Sequence, residues 1–206
     1  MNTDITERLK DIKRSFRLMM DGVSSKSMRD KGIEYHLNWG VPFPMLKSKA
    51  AEIGKDYDLA IALWKENVRE CKILATLVMP AEKMLPEVVD IWMEQTTSVE
   101  IAEMASFNLY QYLPFATEKA YGWIASDSSI YQLCGFHVFS RLFFKGMIPD
   151  ERGINEYIDQ LSVVLQGEDL IVKKAAMASV LRFAALGDVY ESIVQNALHK
   201  FGVELF

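Results

Sequence analysis

Apolar residues recur at helical spacing along almost the whole chain, and this periodicity constrains the fold more than any other feature. One run starts at Tyr57 and recurs every three or four positions to Val78, which places its members on one stripe of a helix or of two consecutive helices. The segment 130–143 carries a second apolar face of three phenylalanines, which predicts a central helix covered on two sides. Strand-like alternation is absent, so the sequence predicts an all-α protein.

Proline and glycine interrupt the helical pattern at short intervals. The main breaks are Pro42, Pro44, Pro80, Pro86, Pro114, Gly146 with Pro149, Gly167, and Gly187, which precedes a predicted helix start at Asp188. About eleven or twelve helices of roughly 10–16 residues fit between them, and short turns make sequential helices antiparallel. We predict one domain, 1–206, built as a superhelical stack of antiparallel HEAT-like helix pairs. A compact globin-like bundle is the alternative.

Several classes of protein are disfavoured by simple features. No run reaches the roughly 18 uncharged apolar residues of a membrane span, and the start of the chain does not resemble a secretory signal. We therefore expect a cytoplasmic protein without a membrane partner. Cys71 and Cys134 lie in apolar helical patterns and are interpreted as buried free thiols. The three histidines, His36, His137 and His199, lack metal-ligand spacing, so no metal or cofactor is predicted.

Charge is unevenly spread along this 206-residue chain of net charge −5. Residues 1–49 carry ten Lys/Arg against six Asp/Glu, whereas the remainder carries thirteen against twenty-two. The protein as a whole would repel phosphate, so a nucleic-acid contact would have to be a local basic patch.

Six short stretches resemble the DNA alkylation repair (AlkD-type) family, in the same order and with similar helix spacing. They are 38–47 (NWGVPFPMLK), 59–64 (LAIALW), 68–75 (VRECKILA), 123–127 (WIASD), 173–175 (KKA) and 180–182 (VLR). The resemblance spans nearly the whole chain. It implies a curved array of HEAT-like helix pairs and, in active members, excision of cationic N3- and N7-alkylated purines from DNA.

That activity does not require the enzyme to protonate the base, because an alkylated purine is already cationic and is a good leaving group. A carboxylate then stabilises the oxocarbenium-like sugar and positions a water, while aromatic side chains contact the sugar and an arginine holds phosphate. The resemblance places Glu100 at the catalytic aspartate. By itself, Glu100 is more simply interpreted as an exposed carboxylate on a solvated helix face.

The other motif positions hold different residue types from those of the active family members. Gln95, Thr96 and Thr97 stand where Trp-Trp-Asp is expected, and Leu133 stands where the arginine is expected. The last tryptophan position falls on Ser179, or on Ala178 with a one-residue shift. Trp92 lies one helical turn before Thr96, but its spacing favours core packing.

Basic residues carry the remaining functional signal. The residues that the resemblance places near the DNA-facing surface are Lys173, Lys174 and Arg182, and Arg14 and Lys47 are candidate phosphate contacts in the basic first quarter. Acidic residues interleave with the basic ones of the first helix, so an ordinary solvated face is an alternative there.

Three functions are consistent with the sequence. The first is a DNA-binding HEAT-like scaffold, with duplex DNA as partner, whose base excision is lost or greatly weakened. The second is an active alkylpurine DNA glycosylase that uses Glu100. The third is a helical-repeat scaffold for a protein partner.

Overall fold

The computed structural model describes residues 3–30 and 35–199, and these residues form twelve α-helices and two short 3₁₀ helices. The helices are α1 (Thr3–Leu18), α2 (Gly22–Asp30), α3 (Phe43–Ile53), α4 (Tyr57–Lys65), α5 (Arg69–Val78), α6 (Pro86–Glu94), α7 (Val99–Asn108), α8 (Ala116–Ile124), α9 (Ser129–Phe144), α10 (Glu151–Gln166), α11 (Leu170–Ala184) and α12 (Asp188–His199), with 3₁₀ turns at Ala81–Lys83 and Tyr110–Tyr112. The predicted number of helices is confirmed. Among the described residues, no helix is both long and apolar enough to cross a membrane.

The chain folds as two compact units, Met1–Leu109 and Tyr110–Phe206. The interpretation of 1–206 as one domain stays a prediction. In each unit a helix packs on its neighbour in sequence and on the next helix but one: α5 contacts α3, α4 and α7, and α9 and α11 are neighbours. This is the packing pattern of stacked helix pairs.

Helix α1 is fixed along α4 by an ion pair at each end of α4. Arg8 donates to Asp56 at 2.7 Å and Lys13 donates to Glu66 at 2.9 Å, while Asp56 also accepts from the Leu59 amide and caps α4. Two of the cations in the basic first helix are therefore engaged in packing.

The core of the second unit is aromatic. Tyr157 is fully buried and lies between Phe139, Phe143 and Phe183, with ring centroids 5.1–5.4 Å away. Its hydroxyl donates to Ser179 at 2.8 Å, which satisfies the polar tip of a buried ring. Helix α9 packs against both α8 and α11, so the prediction of a central helix is confirmed.

Local signals in the sequence mark several helix ends. Helix α12 begins at Asp188 after Gly187, as predicted, and the predicted break at Pro86 is the start of α6. Both cysteines are buried thiols outside any disulfide, which confirms their interpretation. Lys31, one of the ten Lys/Arg of residues 1–49, lies outside the described residues.

Candidate functional site

Arg69 and Glu70, at the start of α5, anchor a buried network in the first unit. Glu70 is fully buried, and its carboxylate accepts from the backbone amides of Trp39 and Val41 at 3.3 and 3.2 Å. Arg69 donates to the Val41 carbonyl at 3.1 Å and to Glu70 at 3.2 Å. Trp39 and Val41 lie in the stretch 38–47, and Arg69 and Glu70 lie in the stretch 68–75, so these hydrogen bonds join the two stretches.

Glu100 joins this network through the guanidinium of the buried Arg69. The guanidinium binds both carboxylate oxygens, Nε to Oε2 at 2.8 Å and Nη2 to Oε1 at 2.6 Å, and the Tyr35 hydroxyl donates to Oε2 at 2.5 Å. Only 22% of the Glu100 side chain is exposed. The expectation of an exposed carboxylate on a solvated face is wrong, because a partner 31 residues earlier in the chain covers Glu100.

The electrostatics of the group favour a charged pair. Burial raises the pKa of Glu100, but hydrogen bonds from Arg69 and Tyr35 and the charge of Arg69 bring it below its ordinary value. Burial likewise lowers the pKa of Arg69, and its bonds and attraction to Glu100 and Glu70 raise it above its ordinary value. The position of Glu100 in the first turn of α7 also suits a carboxylate.

A cleft with a volume of about 440 Å³ opens beside this ion pair. Its lining residues are Tyr35, Trp64, Lys65, Asn67, Val68, Lys72, Gln95, Thr96, Thr97, Ser98 and Ile101. Among these described residues two are lysines and none carries a carboxylate. The adjoining Glu100 is ion-paired with Arg69, which also pairs with Glu70. The described lining residues themselves present two ammonium groups, amides and hydroxyls, which are groups that bind an anion such as phosphate.

Trp64 forms the apolar wall of this cleft. It stacks on Trp92 with ring centroids 4.0 Å apart and an angle of 2° between the planes, and the Lys72 ammonium lies 4.4 Å from the Trp64 centroid. Its indole nitrogen donates to Gln95 at 2.9 Å. Trp92 is 2% exposed, so the prediction that it packs in the core is confirmed.

Of the residues at the other positions of the family motif, Thr97 is exposed at the cleft, and the rest named below serve the structure. Thr96 is buried and donates to the Trp92 carbonyl at 2.7 Å, while Gln95 holds Trp64. In the second unit, Leu133 and Ser179 are buried, and Ser179 accepts from Tyr157. These side chains supply neither an aromatic face nor a cation to a ligand.

The predicted phosphate contacts occupy separate places. On α11, Lys174 and Arg182 are exposed and point about 80° apart around the helix axis, whereas Lys173 points about 180° from Arg182. In the first unit, Lys47 is exposed on α3, and the exposed Arg14 lies 3.6 Å from Asp11 within α1. None of these residues lines the cleft.

Sequence reasoning missed four residues of this site: Tyr35, Lys65, Arg69 and Lys72. Arg69 belongs to a stretch that carries the family resemblance, so an arginine in an apolar helix was an available signal for a buried pair. No pattern in the sequence connects Tyr35 or the two lysines to the cleft, because their proximity depends on the packing of α5 against α7.

Comparisons with known proteins agree with this fold. The sequence matches the family model described as DNA alkylation repair enzyme over residues 12–200. The structure is similar to a solved structure from "a new family of proteins related to the HEAT-like repeat DNA glycosylases with affinity for branched DNA structures", with TM-score 0.78 and 15% identity, covering 92% of this chain and 80% of that one. No curated protein matches the sequence. The prediction of an all-α stack of HEAT-like helix pairs is confirmed.

Proposed function

The chain belongs to the DNA alkylation repair enzyme family, and from this premise we propose that it binds DNA with base excision lost or greatly weakened. The observation that carries the proposal is the charge arrangement at the cleft. Two lysines, Lys65 and Lys72, line the opening, whereas Glu100, a carboxylate that adjoins the cleft, is paired with Arg69. Such a site attracts phosphate and offers little negative charge to a developing sugar cation.

Excision requires a carboxylate that is available to the sugar and to an attacking water. Both oxygens of Glu100 already accept hydrogen bonds from Arg69, and one also accepts from Tyr35. Freeing Glu100 would break a bidentate ion pair to Arg69, whose side chain is only 4% exposed, and leave that guanidinium with Glu70 as its remaining ion-pair partner among the described residues. Glu100 is therefore better suited to holding α7 against α5 than to catalysis.

The proposed partner is duplex DNA, held through its phosphates. Beyond the cleft lysines, the proposed contacts are Lys173, Lys174, Arg182, Lys47 and Arg14. The solved structure of similar fold belongs to proteins with affinity for branched DNA, which supports DNA as the class of ligand.

Base release from duplex DNA that contains 7-methylguanine tests the loss of excision. We expect release at the spontaneous rate with the wild type, and no change in Glu100→Gln or in the control Glu94→Gln, an exposed acid on α6. Enzymatic release that disappears in Glu100→Gln, but not in Glu94→Gln, would establish an active glycosylase and overturn the proposal.

Fluorescence anisotropy with a blunt duplex tests the cleft. The double substitution Lys65→Gln and Lys72→Gln should weaken binding at least about tenfold at low salt, because two phosphate contacts are lost. Lys83→Gln, an exposed lysine in the 3₁₀ turn outside the cleft, should bind as the wild type does. Equal affinities for all three proteins would refute the assignment of the cleft.

A further inference from the structure

Two cation–π pairs involve consecutive residues at the carboxyl end of α9, in the second unit. The Arg182 guanidinium of α11 lies 5.0 Å from the ring centroid of Phe144, and the Lys145 ammonium lies 4.1 Å from that of Tyr112. Phe144 and Lys145 are consecutive, so the two pairs share one short stretch of backbone. Lys145 also donates to the Gln111 carbonyl at 3.3 Å, which fixes the ammonium over its ring.

Both rings of these pairs are open to solvent, which is unusual in a unit with a large aromatic core. Phe144 is 63% exposed and Tyr112 is 57% exposed. Within the described part of the chain, neither Lys145 nor Arg182 forms an ion pair with a carboxylate. The surface therefore combines two exposed aromatic rings with two cations that form no ion pair with a carboxylate within those residues.

We propose that Tyr112 and Phe144, with Lys145 and Arg182, form a platform that binds unpaired bases of single-stranded DNA. This deepens the proposed function and rests on it, since it names the DNA feature that the second unit would take. The platform uses none of the cleft residues.

The chemistry of the four side chains selects this ligand. Exposed rings stack on nucleobases, and cations beside the rings neutralise the phosphates between successive bases. In duplex DNA the bases stack on one another, so their faces are closed to a ring on the protein. A purely apolar protein segment would leave both cations without anions, whereas a single strand provides faces and phosphates at short, regular intervals.

Two labelled oligonucleotides separate stacking from charge. A twelve-residue oligothymidylate and a twelve-residue abasic strand carry the same phosphates, but only the first carries bases. With the full chain, anisotropy should show at least about fivefold tighter binding of the oligothymidylate. Equal affinity for both strands would overturn the platform.

Substitutions identify the rings and cations involved. Phe144→Ala and Tyr112→Ala should each weaken oligothymidylate binding about 5- to 100-fold and leave abasic-strand binding nearly unchanged. Val163→Ala, which removes a 60% exposed apolar side chain on α10, is the matched control and should have no effect. Arg182→Gln should weaken binding of both strands, whereas Arg152→Gln, an exposed arginine on α10, should not.

The outcomes for this platform and for the proposed function differ. If the two ring variants bind oligothymidylate as Val163→Ala does, the platform is refuted and a protein segment becomes the better occupant of this surface, whatever the duplex results. If binding of oligothymidylate depends on the rings but the wild type does not bind duplex DNA, the duplex proposal fails and the platform stands.

Discussion

Gly40 shows how one residue couples the turn at 38–41 to helix α2. Its φ is +71°, and a Cβ built there would lie 2.2 Å from the Asp21 carbonyl oxygen and 2.7 Å from the Ser25 amide. The backbone of the turn thus touches the start of α2, where the Asp21 amide donates to the Trp39 carbonyl at 2.9 Å. Only glycine combines this φ with this contact.

Gly40→Ala should lower the free energy of unfolding by more than about 2 kcal/mol, because the strain of the positive φ and the clash with the backbone of α2 both destabilise the folded state. Gly54→Ala is the matched control: its φ is +77°, but nothing lies within 4 Å of the added Cβ. Because the ψ of Gly54 is −165°, a backbone region that essentially only glycine adopts, this substitution should cost about 1–3 kcal/mol from strain alone, less than Gly40→Ala. Urea denaturation monitored by circular dichroism measures both, and equal costs would show that the contact with α2 contributes nothing.

The Glu100 carboxylate makes stability depend on pH in a defined direction. Its pKa in the folded protein is lower than its ordinary value, so the folded state favours the charged form. The resulting stabilisation is fully present above the unfolded pKa, about 4.3 for glutamate, and is lost as the pH falls through the folded value.

Glu100→Gln should be about 1–3 kcal/mol less stable than the wild type at pH 7, because Arg69 loses a charged partner. The difference should shrink as the pH falls below about 4. Chemical denaturation at several pH values measures it, with Glu94→Gln as the exposed control. A difference that stays constant down to a pH of about 3 would contradict a charge-based role for Glu100.

At the scale of helices, two glycines contrast the inside and outside of the α8–α9 pair. Gly135 of α9 faces α8, and a Cβ there would lie 2.6 Å from Ile124 Cγ2 and 2.9 Å from the Ile124 amide. Gly122 of α8 is exposed, with nothing within 4 Å of an added Cβ. The close approach of the two helices therefore depends on the missing side chain at Gly135.

Gly135→Ala should destabilise the protein by about 1–3 kcal/mol, because the added methyl forces α8 and α9 apart. Gly122→Ala should stabilise it by about 0.5–1 kcal/mol, because alanine is the better residue in an exposed helix interior. Thermal unfolding of the two variants should shift in opposite directions, and a shift of the same sign would disprove the packing argument.

At the scale of the whole molecule, the net charge of −5 sets how a polyanion can bind. General attraction is unavailable, so affinity has to come from a limited number of local contacts. Because Arg8 and Lys13 of α1 form ion pairs with Asp56 and Glu66, fewer cations of the first helix are available to contact phosphate.

We therefore expect log K for a blunt duplex to fall with log salt at a slope of about −2 to −5, as for a few phosphate contacts. Anisotropy titrations between about 50 and 200 mM salt measure this slope. A slope near zero would exclude phosphate-based binding and favour a protein partner.

The sequence by itself determined the helices and their packing class, because both depend on local spacing. Apolar periodicity, together with breaks such as Pro86 and Gly187, was sufficient to predict eleven or twelve helices in stacked pairs and a central α9. The buried states of Trp92 and the cysteines followed from the same periodicity, since a residue on the apolar stripe of a packed helix is buried.

Tertiary structure decided the state of the site, because charge pairing joins residues far apart in sequence. The sequence around Glu100 predicts an exposed acid on α7, and only the packing of α7 on α5 brings Arg69 to it. Helix packing likewise brings Lys65 and Lys72 to the cleft, and it brings Arg182 of α11 to Phe144 of α9 on the platform. Helical periodicity specifies which face of its helix a residue lies on, whereas the residue that it contacts on a neighbouring helix depends on how the helices pack.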